Sequence, residues 1–158
     1  MSKMELPYNA FEICTSEGNL KLLMTAVYEG SPESLKRGGV SADFRIEIDI
    51  NGITADLKCY ISVGNLYSFY NDLLKCYENL RGEAVLKDYS EKLTIIVFAF
   101  SITGGCEIYG CVHSDSYSKN KVEFGLECDQ TYILPILYSL KRLFDELAKI
   151  QGYYDFPY

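Results

Sequence analysis

Apolar and charged residues alternate without a break between residues 42 and 50: Ala42, Phe44, Ile46, Ile48 and Ile50 are separated by Asp43, Arg45, Glu47 and Asp49. A period of two is the pattern of a β-strand with one dry face and one wet face. Asn51-Gly52 follows, and this pair favours a two-residue hairpin because both turn residues take positive φ. The return strand alternates as well, with Ile53, Ala55, Leu57, Cys59 and Ile61 inward and Thr54, Asp56, Lys58 and Tyr60 outward. Upstream, residues 11–15 and 20–28 read as two strands joined near Glu17-Gly18-Asn19. Residues 29–34 carry the glycine, proline and serine of a loop, and Gly38-Gly39 resets the chain.

From Asn65 the period changes. Leu66, Phe69, Tyr70, Leu73, Leu74, Tyr77 and Leu80 lie on one face of an amphipathic helix that ends before Gly82. Strand patterns resume at residues 83–86, 93–102, 106–113 and 122–128, with Thr103-Gly104-Gly105 as a turn. The 93–102 run is apolar on both faces, which predicts a central strand covered on both sides. A second helix is expected over 130–149, with the stripe Ile133, Ile136, Leu137, Leu140, Phe144 and Leu147. Asp129 or Thr131 can cap it, and Pro135 demands either a late start or a kink. The expected fold is α+β: a mostly antiparallel sheet of about seven or eight strands carrying two long amphipathic helices.

Length and composition fit that picture. The 158 residues suit one domain spanning 1–158, with flexible ends at 1–8 and 151–158. No run approaches the ~18 apolar residues of a membrane span, and the first residues lack the apolar core of a secretory signal, so a cytoplasmic protein is expected. Six cysteines, at 14, 59, 76, 106, 111 and 128, form no CxxC pair, and His113 is the single histidine. That poorly supplies a metal site and favours buried free thiols in a reducing compartment. No cofactor motif is present: Gly38-Gly39 and Gly104-Gly105 lack the spacing that cradles phosphate. His113 has no nucleophile motif around it, and Asp88, Glu91, Asp115 and Asp129 lack calcium-loop spacing.

Net charge is −7, from 22 acidic and 15 basic residues. Such a chain repels nucleic-acid backbones and attracts basic partners. The wet face of the hairpin is where this becomes specific. With a two-residue turn, paired positions sum to 103, which sets Glu47 opposite Asp56 and Arg45 opposite Lys58. Directly opposed like charges are unfavourable unless diagonal pairs relieve them. Either this is a solvated face of diagonal ion pairs, or it is a charged surface kept for a partner, with Asp43, Glu47, Asp49 and Asp56 as contacts and Tyr60 as an aromatic anchor. Glu107, Tyr109, Glu123 and Glu127 extend such a face if their strands join the same sheet. Fourteen tyrosines and no tryptophan add anchors of the kind enriched at binding surfaces.

The run from Gly38 to Ile48 before a hairpin, the helix pattern Leu66-x-x-Phe69-x-x-x-Leu73, the following Leu80-Arg81-Gly82-Glu83-Ala84, and Asp129-Gln130-Thr131-Tyr132-x-Leu134 opening the last helix resemble the WapI-family immunity proteins of bacteria. The resemblance covers roughly residues 38 to 147. It implies a cytosolic, non-enzymatic antidote that binds the domain of a contact-dependent or secreted toxin, often a nuclease acting on tRNA. It transfers no catalytic residue, cofactor or interface. Two other classes stay open on the residues alone: a small-ligand carrier with an apolar pocket, and an enzyme using His113 or an acidic pair. Oligomeric state is not encoded in any of these patterns.

Overall fold

The computed structural model describes residues 4–28, 41–88, 94–114 and 119–150. The expected loop at 29–34, the Gly38-Gly39 reset, Glu91, Asp115 and the tail from 151 lie outside the described residues. The chain runs β1 (Tyr8–Thr15), β2 (Gly18–Tyr28), β3 (Ser41–Ile50), β4 (Ile53–Cys59), α1 (Val63–Asn79), β5 (Gly82–Lys87), β6 (Thr94–Phe100), β7 (Gly105–His113), β8 (Lys121–Asp129) and α2 (Ile133–Ile150).

The α+β class holds, but the strands form two antiparallel sheets of four rather than one sheet of seven or eight, in the orders β1-β2-β3-β4 and β5-β6-β7-β8. Each sheet is a meander in which a strand pairs only with its neighbours in sequence. Hydrophobic period reports that a segment is a strand; it does not report whether strands before and after a helix pair. Here α1 separates the two meanders, and each buries its apolar face against the other instead of sharing an edge.

The two inner faces feed one core. Phe11 of β1, Phe98 of β6 and Phe69 of α1 meet there, with ring centroids 5.2 Å apart for Phe69–Phe98 and 6.3 Å for Phe11–Phe98. α1 packs against β5, α2 against β1, and the helices touch each other. Tyr67 and Tyr70 of α1 pack edge-on against Phe144 of α2, at 5.2 and 5.6 Å. Every residue of the expected α2 stripe is buried.

Local signals set the boundaries. The hydroxyl of Ser62 accepts the Asn65 backbone N–H (2.9 Å) and starts α1. Leu80, at φ 53°, ends it in the left-handed conformation, before Gly82 as expected. The Asp129 carboxylate accepts the Thr131 backbone N–H (2.8 Å) and opens a 3-10 turn, Gln130–Tyr132, that leads into α2. Pro135 therefore falls in the first turn of α2, where its missing N–H has no helical partner to lose. The expected late start occurs, but Thr131 does not cap it: Asp129 caps the preceding 3-10 turn, which contains Thr131. At the β3–β4 turn Asn51 and Gly52 take φ 49° and 85°, as a type I′ turn demands.

β6 is an inner strand of its sheet, as expected, but it is not fully covered on both sides. Its inner side, Thr94, Ile96 and Phe98, is buried, while Ile95, Val97 and Ala99 on the other side are half-buried. In a two-layer arrangement of antiparallel sheets each sheet has one covered face, so an apolar outer side on β6 is not accounted for by the core.

Candidate functional site

The β3–β4 register is the one the two-residue turn dictates: Glu47 pairs with Asp56, Arg45 with Lys58, and Phe44 with Cys59. Phe44, Ile46, Ile48 and Cys59 are buried, whereas Ala55 and Leu57 are half-buried because β4 is an edge strand. Asp43, Glu47, Asp49, Asp56 and Tyr60 all point away from the core and share one outer face.

That face is a mixed surface. Register sets Glu12, Lys21, Glu47 and Asp56 in one row across β1–β4, and Asn9, Leu23, Arg45 and Lys58 in the next. Five carboxylates (Glu12, Asp43, Glu47, Asp49, Asp56) are thus interleaved with three cations (Lys21, Arg45, Lys58). The diagonal contact forms: Arg45 Nε donates to Asp56 Oδ1 at 2.9 Å, which holds the guanidinium pKa above its usual value. Tyr28 donates its hydroxyl to Asp43 Oδ2 (2.7 Å), and this bond with the nearby charge raises the phenol's pKa. Lys58 sits 5.4 Å from the Tyr60 ring centroid. Two of the four candidate contacts, Asp43 and Asp56, are engaged within the sheet, and the candidate anchor Tyr60 lies against a lysine.

The outer face of β5–β8 is built differently. Glu107, Tyr109, Glu123 and Glu127 do not extend the first face, since β7 and β8 belong to the second sheet. Three rows cross this sheet. Glu83, Ala99, Glu107 and Glu127 form one; Val85, Val97, Tyr109 and Gly125 the middle one; Lys87, Ile95, Cys111 and Glu123 the third. Glu123 pairs with Lys121 at 3.1 Å. Among the described residues no cation lies within ion-pair distance of Glu83, Glu107 or Glu127. Sequence reading named Glu107, Tyr109, Glu123 and Glu127 only as an extension of the first face and did not anticipate a second face centred on Val85 and Val97; the apolar outer side of the 93–102 run was its visible trace.

The residues considered for catalysis and metal binding are dispersed. His113 lies at the end of β7 opposite Lys121. Asp88 is buried and accepts the Thr94 backbone N–H (3.4 Å), while its own N–H donates to the Thr94 carbonyl (3.1 Å), tying β5 to β6. Asp129 is the cap described above. Among the described residues no group of three His, Cys, Asp or Glu side chains is placed to hold a metal ion. Surface hollows of about 320, 370 and 440 Å³ lie beside the β3–β4 turn, at the β6–β7 end of the second sheet, and between α1 and β5. The last is lined by Asp72, Lys75, Arg81 and Glu83 rather than by apolar walls.

The cysteines are all free. Cys59, Cys76 and Cys106 are buried, Cys111 and Cys128 intermediate, and Cys14 is exposed, so only half of the set behaves as core hydrophobes. Cys14 donates its thiol to Asn19 Oδ1. Burial pushes the Cys59 thiol up to about 12. The bond with Cys128, directly across the β7–β8 ladder, and burial push Cys106 up.

The family model of the WapI-like immunity proteins matches residues 13–148, and the chain belongs to that family. The match begins 25 residues before position 38, so β1 and β2 carry family character that the motif reading assigned only to residues 38 onward. Neither a curated protein nor a solved structure matches the chain. No helix among the described residues is long and apolar enough to cross a membrane.

Proposed function

We propose that this protein is a cytoplasmic, stoichiometric antidote that binds the domain of a cognate bacterial toxin and blocks it without catalysing a reaction. The family match over residues 13–148 carries the reading. The net charge of −7 supports a basic partner. A nuclease that cleaves tRNA is such a partner, because a site that holds a phosphate backbone must be basic, and an acidic inhibitor steers toward it. Delivery by contact-dependent inhibition fits the same scheme.

The docking surface is a separate question. Asp43, Glu47, Asp49, Asp56 and Tyr60 form one coherent face, yet a basic partner landing there would also meet Lys21, Arg45 and Lys58.

The test is to mix the purified chain with the toxin domain encoded beside its gene. A 1:1 complex that abolishes the toxin's activity, and whose association slows as salt rises, is the expected result. Activity unchanged by a stoichiometric excess of this chain would overturn the reading.

A further inference from the structure

We propose that the outer face of β5–β8 is the surface that docks the toxin, and that the complementary surface is an apolar centre flanked by lysine and arginine. This rests on the toxin-binding reading above and adds the face, its centre and the chemistry of its partner.

The sheet has an apolar middle, an acidic row toward the β6–β7 turn (Glu83, Glu107, Glu127) and a mixed row on the other side (Lys87, Glu123). Val85, Val97 and Tyr109 stand side by side across three strands, with Ile95 and Ala99 above and below Val97 on β6. Gly125 completes the middle row without a side chain; an added Cβ would sit 3.8 Å from the Tyr109 Cβ, so the flank of the ring stays open. Tyr109 is 38% exposed, and Ile102, at the tip of the adjoining β6–β7 turn, is 87% exposed. A contiguous row of half-buried apolar side chains on an outer sheet face is the kind of patch that marks an interaction surface. Interfaces are built this way, with an apolar, aromatic centre and a charged rim.

The rim chooses the partner. Glu107 and Glu127 are directly opposed across β7–β8, and Glu83 shares their row. Like charges in register are unfavourable within the free protein, and a cationic partner relieves them. A second copy of this chain would instead bring the same glutamates against one another. Four strands about 4.8 Å apart and three rows of side chains cover on the order of 400 Å², roughly half of what a standard interface takes from each partner. The patch therefore seats the centre of an interface, with Ile102 and its turn at one border.

Association with the cognate toxin domain, followed by stopped-flow mixing at two salt concentrations, tests this. Glu107→Lys with Glu127→Lys should slow association roughly tenfold at low salt, and Tyr109→Ala should speed dissociation by roughly tenfold or more. Glu47→Lys with Asp56→Lys, on the opposite sheet, changes the net charge equally and controls for long-range steering; at the higher salt, where charges beyond about 8–10 Å are screened, it should change neither rate by more than about twofold. Circular dichroism checks each fold, and Glu107→Gln with Glu127→Gln replaces the charge reversal if that variant does not fold. If the first-sheet pair alters binding and the second-sheet variants do not, the docking face is β1–β4 and the proposal falls. If none alters binding, it falls as well. If the chain alone sediments as a dimer that Tyr109→Ala dissociates, the face belongs to a second copy. A wild-type chain that binds no toxin domain removes the immunity reading and this assignment together.

Discussion

The carboxylate of Glu17 accepts a hydrogen bond from the backbone N–H of Glu127, 2.7 Å away, across 110 residues of sequence. Glu17 lies in the β1–β2 turn, and its own carbonyl accepts the Asn51 backbone N–H from the β3–β4 turn (3.0 Å). One residue thus joins both hairpin tips of the first sheet to β8, an edge strand of the second. The covered N–H would otherwise be an open donor on a sheet edge. Glu17→Ala should lower stability by about 1 kcal/mol, read by urea denaturation, and should speed amide exchange at Glu127. Exchange at Glu127 as slow as in the wild type would show that this bond does not guard the edge.

Two glycines, Gly52 in the turn between β3 and β4 and Gly18 at the end of the turn between β1 and β2, separate a backbone effect from a packing effect. At Gly52, φ is 85° and an added Cβ meets nothing within 4 Å. Gly52→Ala should therefore cost about 1 kcal/mol, the left-handed penalty alone. At Gly18, φ is 144° and the added Cβ would lie 2.0 Å from the Asp49 carbonyl oxygen. Gly18→Ala should cost at least about 3 kcal/mol or prevent folding, because backbone has to move. Equal losses at the two sites in chemical denaturation would contradict this account.

Asp129 gives the fold a defined acid sensitivity. The Thr131 hydroxyl and backbone N–H both donate to its carboxylate and hold its pKa below the usual aspartate value. A depressed folded-state pKa stabilises above the unfolded value, and that contribution is lost as pH falls through the lowered one. Asp129→Ala should therefore be less stable than the wild type at neutral pH, and the gap should close in acid. A gap independent of pH would mean the cap acts without its charge.

Thiol reactivity should rank by burial and acidity. Cys14, exposed, should be modified first in the native protein, while Cys59, buried and pushed up to about 12, should resist at neutral pH. The denatured, unreduced protein should titrate as six thiols. A lower count in fresh protein would show a disulfide in the native state.

Legibility in the sequence followed the range of the interactions. The β3–β4 register and the Arg45–Asp56 diagonal were readable because Asn51-Gly52 fixes a two-residue turn, and register then follows by counting. The helix stripes were readable because they repeat every turn, and so was the late start of α2, forced by Pro135. The outward direction of Asp43, Glu47, Asp49, Asp56 and Tyr60 was readable from the alternation, but the row supplied by β1 and β2, with Lys21 between Glu12 and Glu47, was not anticipated.

By itself, then, the sequence determined where strands and helices lie, which side of the hairpin is wet, and, through its motifs, membership of an immunity-protein family. Periodicity and turn chemistry act over a few residues and leave their mark in order along the chain. Only the tertiary structure decided that eight strands split into two sheets, that Glu107 and Glu127 stand away from Glu47 and Asp56, and that Val85, Val97 and Tyr109 meet in one exposed row. Those outcomes depend on how β5–β8 pair and on which faces bury each other, and packing between distant segments fixes both.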